Sequence, residues 1–180
     1  EFPEFALTGY TCQDLFLQDT LLDGATEALK QLAVDTAGIK AVVVVGLPLE
    51  MQGRLYNVAA VLNQGKILGF VPKSHMPNYG EFYEARQFAP WKGENTTYRF
   101  QDGTEVPFGT TVIFANREMR EITFAIELCE DLWVPQPPSG EHAMAGAHLI
   151  VNLSASDELT GKASYRRDLV KNQSARTLSG

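Results

Sequence analysis

The sequence predicts a mixed α/β fold, and two observations carry that reading. Short β-branched or alternating apolar runs recur at 41–45, 55–62, 66–71, 111–115, 122–128 and 147–153. Stretches with helical character frame them at 14–38 and 157–178. With 180 residues, 44% of them hydrophobic, the chain suits one domain with a sizeable core, or a large piece of a bigger one.

In the first helix, Leu15, Leu22, Ala25, Leu29, Leu32 and Ala33 recur at helical spacing, and Gly38 supplies a stop. The run 41–45 (AVVVV) is continuous and β-branched, which fits a strand buried on both faces. Strands 55–62 and 66–71 flank Asn63-Gln64-Gly65 and read as a hairpin. Segment 76–95 is rich in Pro, Gly and aromatics, and loops of that length tend to carry function. Strands 111–115 and 122–128 enclose a charged turn, and 147–153 is a further strand. The last helix, 157–178, has a basic solvent face with Arg166, Arg167 and Lys171. No repeat or internal linker divides the chain.

A formal charge of −7 with scattered basic residues argues against a nucleic-acid partner. No apolar run is long enough to span a bilayer and no signal peptide opens the chain. Cys12 and Cys129 are therefore expected to be free thiols in a reducing, cytoplasmic setting. The N-x-S/T matches at Asn95, Asn152 and Asn172 read as chance. His75, His142 and His148 lack ligand spacing and no Cys-x-x-Cys occurs, so no metal is expected.

Three residues stand where strands or apolar runs end. Cys129 closes "ITFAIELC", Lys73 follows "KILGFVP", and Glu4 lies in "EFPEFALTGY". Sites in open α/β sheets lie beyond the carboxyl ends of strands. Taken singly, these residues read as a buried thiol, a solvated lysine and a surface glutamate. Gathered into one pocket they would have complementary roles. A free thiol with a pKa of about 8.5 is mostly protonated at neutral pH. A glutamate within reach would take its proton, and a lysine would stabilise the resulting charge and a later oxyanion. Glu130 and Asp131, next to the nucleophile, would oppose ionisation, so Glu130 is expected to point elsewhere.

"PKSHMPNYGEFYEARQF", "LCEDLW", "FPEFALTGYTCQDL" and "VNLSAS" together resemble, in order, the nitrilase or carbon–nitrogen hydrolase superfamily. "PNYGEFYE" and "CEDLW" are most similar to its branch of glutaminase domains, those of glutamine-dependent NAD synthetases. The resemblance implies a four-layer αββα sandwich, truncated at both ends here, and a Glu-Lys-Cys triad at Glu4, Lys73 and Cys129. It places a second, supporting glutamate at Glu81. It assigns the substrate, L-glutamine, to Tyr79, Glu130, Ser156 and Lys162, with Glu130 facing the α-ammonium. Relatives also carry arginine at the Lys162 position, whose fork a lysine lacks.

The implied reaction is glutamine hydrolysis through a cysteine thioester. It needs no cofactor itself. ATP, Mg and deamido-NAD belong to a synthetase domain that would receive the ammonia. No nucleotide loop for such a domain occurs here: in "SDELTGKAS", Ser156 stands where a Walker loop needs glycine, and Ala163 follows the lysine. The resemblance also implies a homo-oligomer. An amidase for another small amide, or an inactive assembly module, would fit the same motifs.

Overall fold

A computed structural model describes residues 1–180. Eight strands form two sheets. The larger has the order β1-β2-β3-β5-β4 and comprises β1 (Val43–Met51), β2 (Arg54–Asn63), β3 (Lys66–Pro72), β4 (Thr96–Arg99) and β5 (Glu105–Phe108). The smaller has the order β6-β7-β8, from β6 (Ile113–Ala115), β7 (Thr123–Leu128) and β8 (Leu149–Leu153). Three helices complete the chain: α1 (Asp19–Asp35), α2 (Pro138–Met144) and α3 (Lys162–Thr177).

The sheets stack face to face. Val44, Ala59, Val61 and Val71 of the large sheet meet Phe114, Ile126, Leu128 and Leu153 of the small one. On the large sheet's other face, Leu29 and Ala33 of α1 pack with Leu47, Val58, Leu62 and Phe70. On the small sheet's outer side, Glu127 of β7 accepts the Ser139 backbone N–H of α2, and Ser139 Oγ accepts from Gln173 of α3. The layers are therefore α, β, β, α, the expected sandwich. Because β2 and β7 are covered on both faces, they read as nearly continuous apolar runs.

Several boundaries differ from the sequence reading. The first helix begins at Asp19, not at residue 14, because residues Tyr10–Leu17 form a kinked 3-10 segment with non-helical angles at Thr11 and Gln13. Leu15 is accordingly exposed. β1 runs on to Met51 through Gly46 and Pro48, since an edge strand tolerates proline. The last helix starts at Lys162, five residues late. β4, β5 and α2 were not expected from the pattern.

The Gln64-Gly65 hairpin is as expected: Asn63 pairs with Lys66 and both turn residues have positive φ. Gln52-Gly53 makes a second turn of the same kind between β1 and β2. No helix is long and apolar enough to cross a membrane.

Candidate active site

Three strand ends and one returning segment build the site. Lys73 follows β3, and its backbone N–H donates to Asn57 O of β2 at 2.9 Å. Cys129 follows β7, and Ser154 follows the parallel neighbour β8, with Leu128 paired to Leu153 immediately before them. Glu4 arrives on the segment before α1, which lies against β1 through Phe2 N–H to Val44 O at 2.9 Å and Leu7 N–H to Gly46 O at 3.3 Å. Phe5 plugs that segment into an aromatic cluster with Phe16 and Phe88, centroids 4.9 Å away in each case.

The three expected residues do come together. Glu4 and Lys73 are buried, 2% and 0% exposed, and Cys129 is 7% exposed. Lys73 Nζ donates to Glu4 Oε1 at 2.7 Å. The Glu4 carboxylate is near enough to the Cys129 thiol to raise its pKa, and the residues after β8 touch both, Ser154 Oγ at the sulfur and Ala155 N–H at Glu4 Oε2. Cys129 has φ of 41°, in the left-handed region that a non-glycine residue adopts only at a cost of about 1–2 kcal/mol. Asp131 stabilises that turn. Its carboxylate accepts from the backbone N–H groups of Leu128, Ser74 and His75 at 3.1, 3.1 and 2.8 Å. One side chain thus clamps the loop after Lys73 to the turn after Cys129.

Electrostatics keep the sulfur protonated at rest. Burial pushes the Cys129 thiol up to about 12, with Glu4 adding to the rise, while Lys73 and the Ser154 hydroxyl pull the other way. Burial alone would lower the Lys73 pKa, but Glu4 and Glu84 outweigh it, and the ammonium is held above its ordinary value. Glu84 is raised, chiefly by burial. Tyr10 is raised by burial and by Glu84, to which its hydroxyl donates at 2.6 Å.

The second glutamate in contact with Lys73 is Glu84, whereas Glu81, expected near the triad, does not reach it. Lys73 Nζ donates to both Glu84 oxygens, at 2.9 and 3.0 Å, whereas Glu81 is exposed on the loop. "EFYE" offers two glutamates three residues apart. The 3-10 turn Glu84–Arg86, with Glu84 N–H bonded to Pro77 O, turns the second one inward.

The remaining expected residues are more exposed than the buried Glu4 and Lys73. Tyr79 is 57% exposed and its hydroxyl donates to Glu130 Oε2 at 2.9 Å. Glu130 therefore turns outward, away from the sulfur. Ser156 is part-buried on the loop after β8. Lys162 opens α3, pairs with Asp157, and lies over the rings of Phe82 and Trp133 at 5.5 and 5.8 Å.

The sequence reading missed Glu84, Asn57, Asp131 and Ser154. Asn57 Nδ2 donates to Glu4 Oε1 at 2.8 Å from inside an apolar strand, where a lone buried amide is itself a signal. His75 bonds Asp131 through Nδ1 at 3.0 Å.

Comparison with known proteins gives a consistent result. The family described as carbon-nitrogen hydrolase matches residues 1–175. A glutamine-dependent NAD(+) synthetase of Mycobacterium tuberculosis is 47% identical over 99% of this chain, which covers 26% of that protein. A crystal structure of a glutamine-dependent NAD(+) synthetase from Cytophaga hutchinsonii superposes with a TM-score of 0.84 and 34% identity, over 97% of this chain and 27% of that one. An amidase from Nesterenkonia sp. shares the fold, with a TM-score of 0.69 and 19% identity over 98% of this chain and 58% of its own. The chain spans about a quarter of the length of the curated relatives it matches.

Proposed function

Because the chain belongs to the carbon-nitrogen hydrolase family, we propose that it hydrolyses the side-chain amide of L-glutamine through a thioester on Cys129. The sulfur attacks the amide carbon while its proton passes to Glu4. Lys73 holds the oxyanion; an ammonium has three N–H donors, enough to serve two carboxylates and the new charge. Glu4 then gives the proton to the leaving nitrogen, the C–N bond breaks and ammonia departs. Water cleaves the thioester to glutamate and restores the thiol. Glu84, Asn57 and Tyr10 position the acid–base pair.

The observation that carries this reading is the buried Glu4–Lys73 pair, 2.7 Å apart, facing a protonated cysteine on a strained turn. The exposed Tyr79–Glu130 pair supports an α-amino acid amide as substrate, since it offers a carboxylate for an α-ammonium. Ser156 and Lys162 take the α-carboxylate. The ammonia serves ATP- and Mg-dependent conversion of deamido-NAD to NAD at a synthetase domain of the same protein, in the cytoplasm. The link to NAD synthesis is supported by the names of the relatives, glutamine-dependent NAD(+) synthetases, about a quarter of whose length this chain covers.

The test is ammonia release from L-glutamine against the same amide lacking its α-amino group. Glutamine should be preferred, and Cys129→Ala should abolish release. Preference for the des-amino amide would remove the glutamine assignment, because Glu130 would have no partner.

A further inference from the structure

The end of β8 brings to the sulfur a group that the reaction above leaves without a role. Ser154 Oγ lies 3.3 Å from Cys129 Sγ. The next residue donates its backbone N–H to the other carboxylate oxygen of the general base, Ala155 N to Glu4 Oε2 at 3.0 Å. Both contacts are fixed by strand register. Leu128 and Leu153 are paired, fully buried, and directly precede Cys129 and Ser154, so the nucleophile and the hydroxyl leave adjacent parallel strands side by side.

From this geometry we infer that Ser154 is a further catalytic residue, whose hydroxyl donates to the Cys129 sulfur and stabilises it as its proton passes to Glu4. The inference rests on the thioester reading above. A serine hydroxyl can donate or accept. The thiol proton has a better acceptor in the Glu4 carboxylate, so the serine proton is the one that points at sulfur. Toward a neutral thiol such a bond is weak. Toward a sulfur carrying developing negative charge it becomes charge-assisted and roughly twice as strong. The bond therefore strengthens as the nucleophile ionises, which is the condition for accelerating attack rather than merely holding the side chain. In the electrostatics of the thiol, Ser154 acts with Lys73 and against burial and Glu4. Thioester formation then removes the charge from sulfur and weakens the bond again. Serine is consumed in no step.

The experiment compares the protein with Ser154→Ala and Ser154→Thr. Modification of Cys129 by iodoacetamide is followed by mass spectrometry across pH, alongside kcat and KM for glutamine and the melting temperature. A hydrogen bond to a charged group corresponds to a rate factor of about ten- to a hundredfold. Ser154→Ala should lose about that much in alkylation rate at neutral pH, with the profile displaced to higher pH. Its kcat should fall to a similar extent with KM little changed, and Ser154→Thr should recover most of both. Alkylation of Ser154→Ala at the unsubstituted rate would overturn the inference. So would a rise in KM with kcat intact, which would make Ser154 a substrate-holding residue. A loss shared equally by the alanine and threonine variants would also overturn it, pointing to packing alone. If the unsubstituted protein alkylates at Cys129 but releases no ammonia from glutamine, the proposed function fails while the alkylation comparison still decides the role of Ser154.

Discussion

Gly46→Ala tests how Glu4 is placed. Gly46 lies in β1 opposite Ala59, beneath the returning N-terminal segment. A Cβ at Gly46 would stand 2.5 Å from Phe5 N, 2.6 Å from Pro3 O and 2.7 Å from Glu4 Cα. Reaching ordinary contact at 3.4 Å needs a shift of about 0.9 Å at the closest atom. All three atoms are backbone, so no side-chain rotation relieves the clash. The Glu4 carboxylate cannot follow such a shift and keep Lys73, Asn57 and Ala155 at 2.7, 2.8 and 3.0 Å. Overpacking of this kind costs about 1–3 kcal/mol, and a misplacement near 1 Å costs roughly a hundredfold in turnover. Backbone entropy alone predicts the opposite sign, since alanine in a strand is about 0.5–1 kcal/mol better than glycine. Urea unfolding and ammonia release measure the two effects. A variant that is as stable as the parent and turns over at full rate would show that the Pro3–Phe5 segment does not rest on Gly46.

Lys73→Met leaves Glu4 and Glu84 buried without their cation. Breaking a buried pair this way costs about 3–5 kcal/mol, and loss of the oxyanion donor costs at least roughly a hundredfold in turnover; equilibrium unfolding and steady-state rates read both. Tyr79→Phe removes the bond to Glu130 at an exposed position, so stability should move by less than about 0.5 kcal/mol. KM for glutamine should rise about three- to tenfold, the equivalent of one ordinary hydrogen bond, with kcat little changed; an unchanged KM would remove Tyr79 from the substrate site. The Asp131 hydrogen bond raises the His75 pKa. Since the folded value exceeds the unfolded one, the pair's contribution is complete below about pH 6.5. It is lost as pH rises through the raised folded value. An NMR titration of His75 should show the raised pKa, and Asp131→Asn should return it toward about 6.5.

Much of the sandwich was legible because its central strands are buried on both faces. A run such as Val58–Leu62 has no polar side to confuse it, and Gln64-Gly65 marks its end. The short edge strands β4 and β5 were not legible, since "TTYR" and "EVPF" carry too few residues to show a period. The site divides in the same way. Cys129, Lys73 and Glu4 were visible because each ends or interrupts an apolar run. Glu84 was not distinguishable from Glu81 by spacing, because the inward turn depends on the Glu84 N–H finding Pro77 O and on Tyr10 waiting across the pocket. Asp131 was visible only as an unwelcome charge beside a nucleophile. Its role depends on three backbone N–H groups, one at the end of β7 and two in the loop after Lys73, which no linear pattern reveals.

That unwelcome charge shows how a buried cysteine works among so many carboxylates. Glu130 faces outward to Tyr79, and Asp131 is satisfied by backbone N–H donors and His75, so neither is an unmatched anion at the sulfur. Glu4 and Glu84 remain, with Lys73 between them. A resting thiolate would add another anion to a pocket that already holds two carboxyl groups against one ammonium, and burial opposes it strongly. In the proposed reaction the proton therefore stays on sulfur until the amide carbon is in place. When it moves to Glu4, one anionic partner of Lys73 is neutralised as another, the oxyanion, forms. The charge facing the ammonium is the same before and after this step, so Lys73 keeps its proton, while the thiol proton leaves the pocket later with the ammonia. A nucleophile with a raised pKa is thus compatible with catalysis here, because the base is charged, adjacent and buried in the same cavity, and the step redistributes charge without creating any.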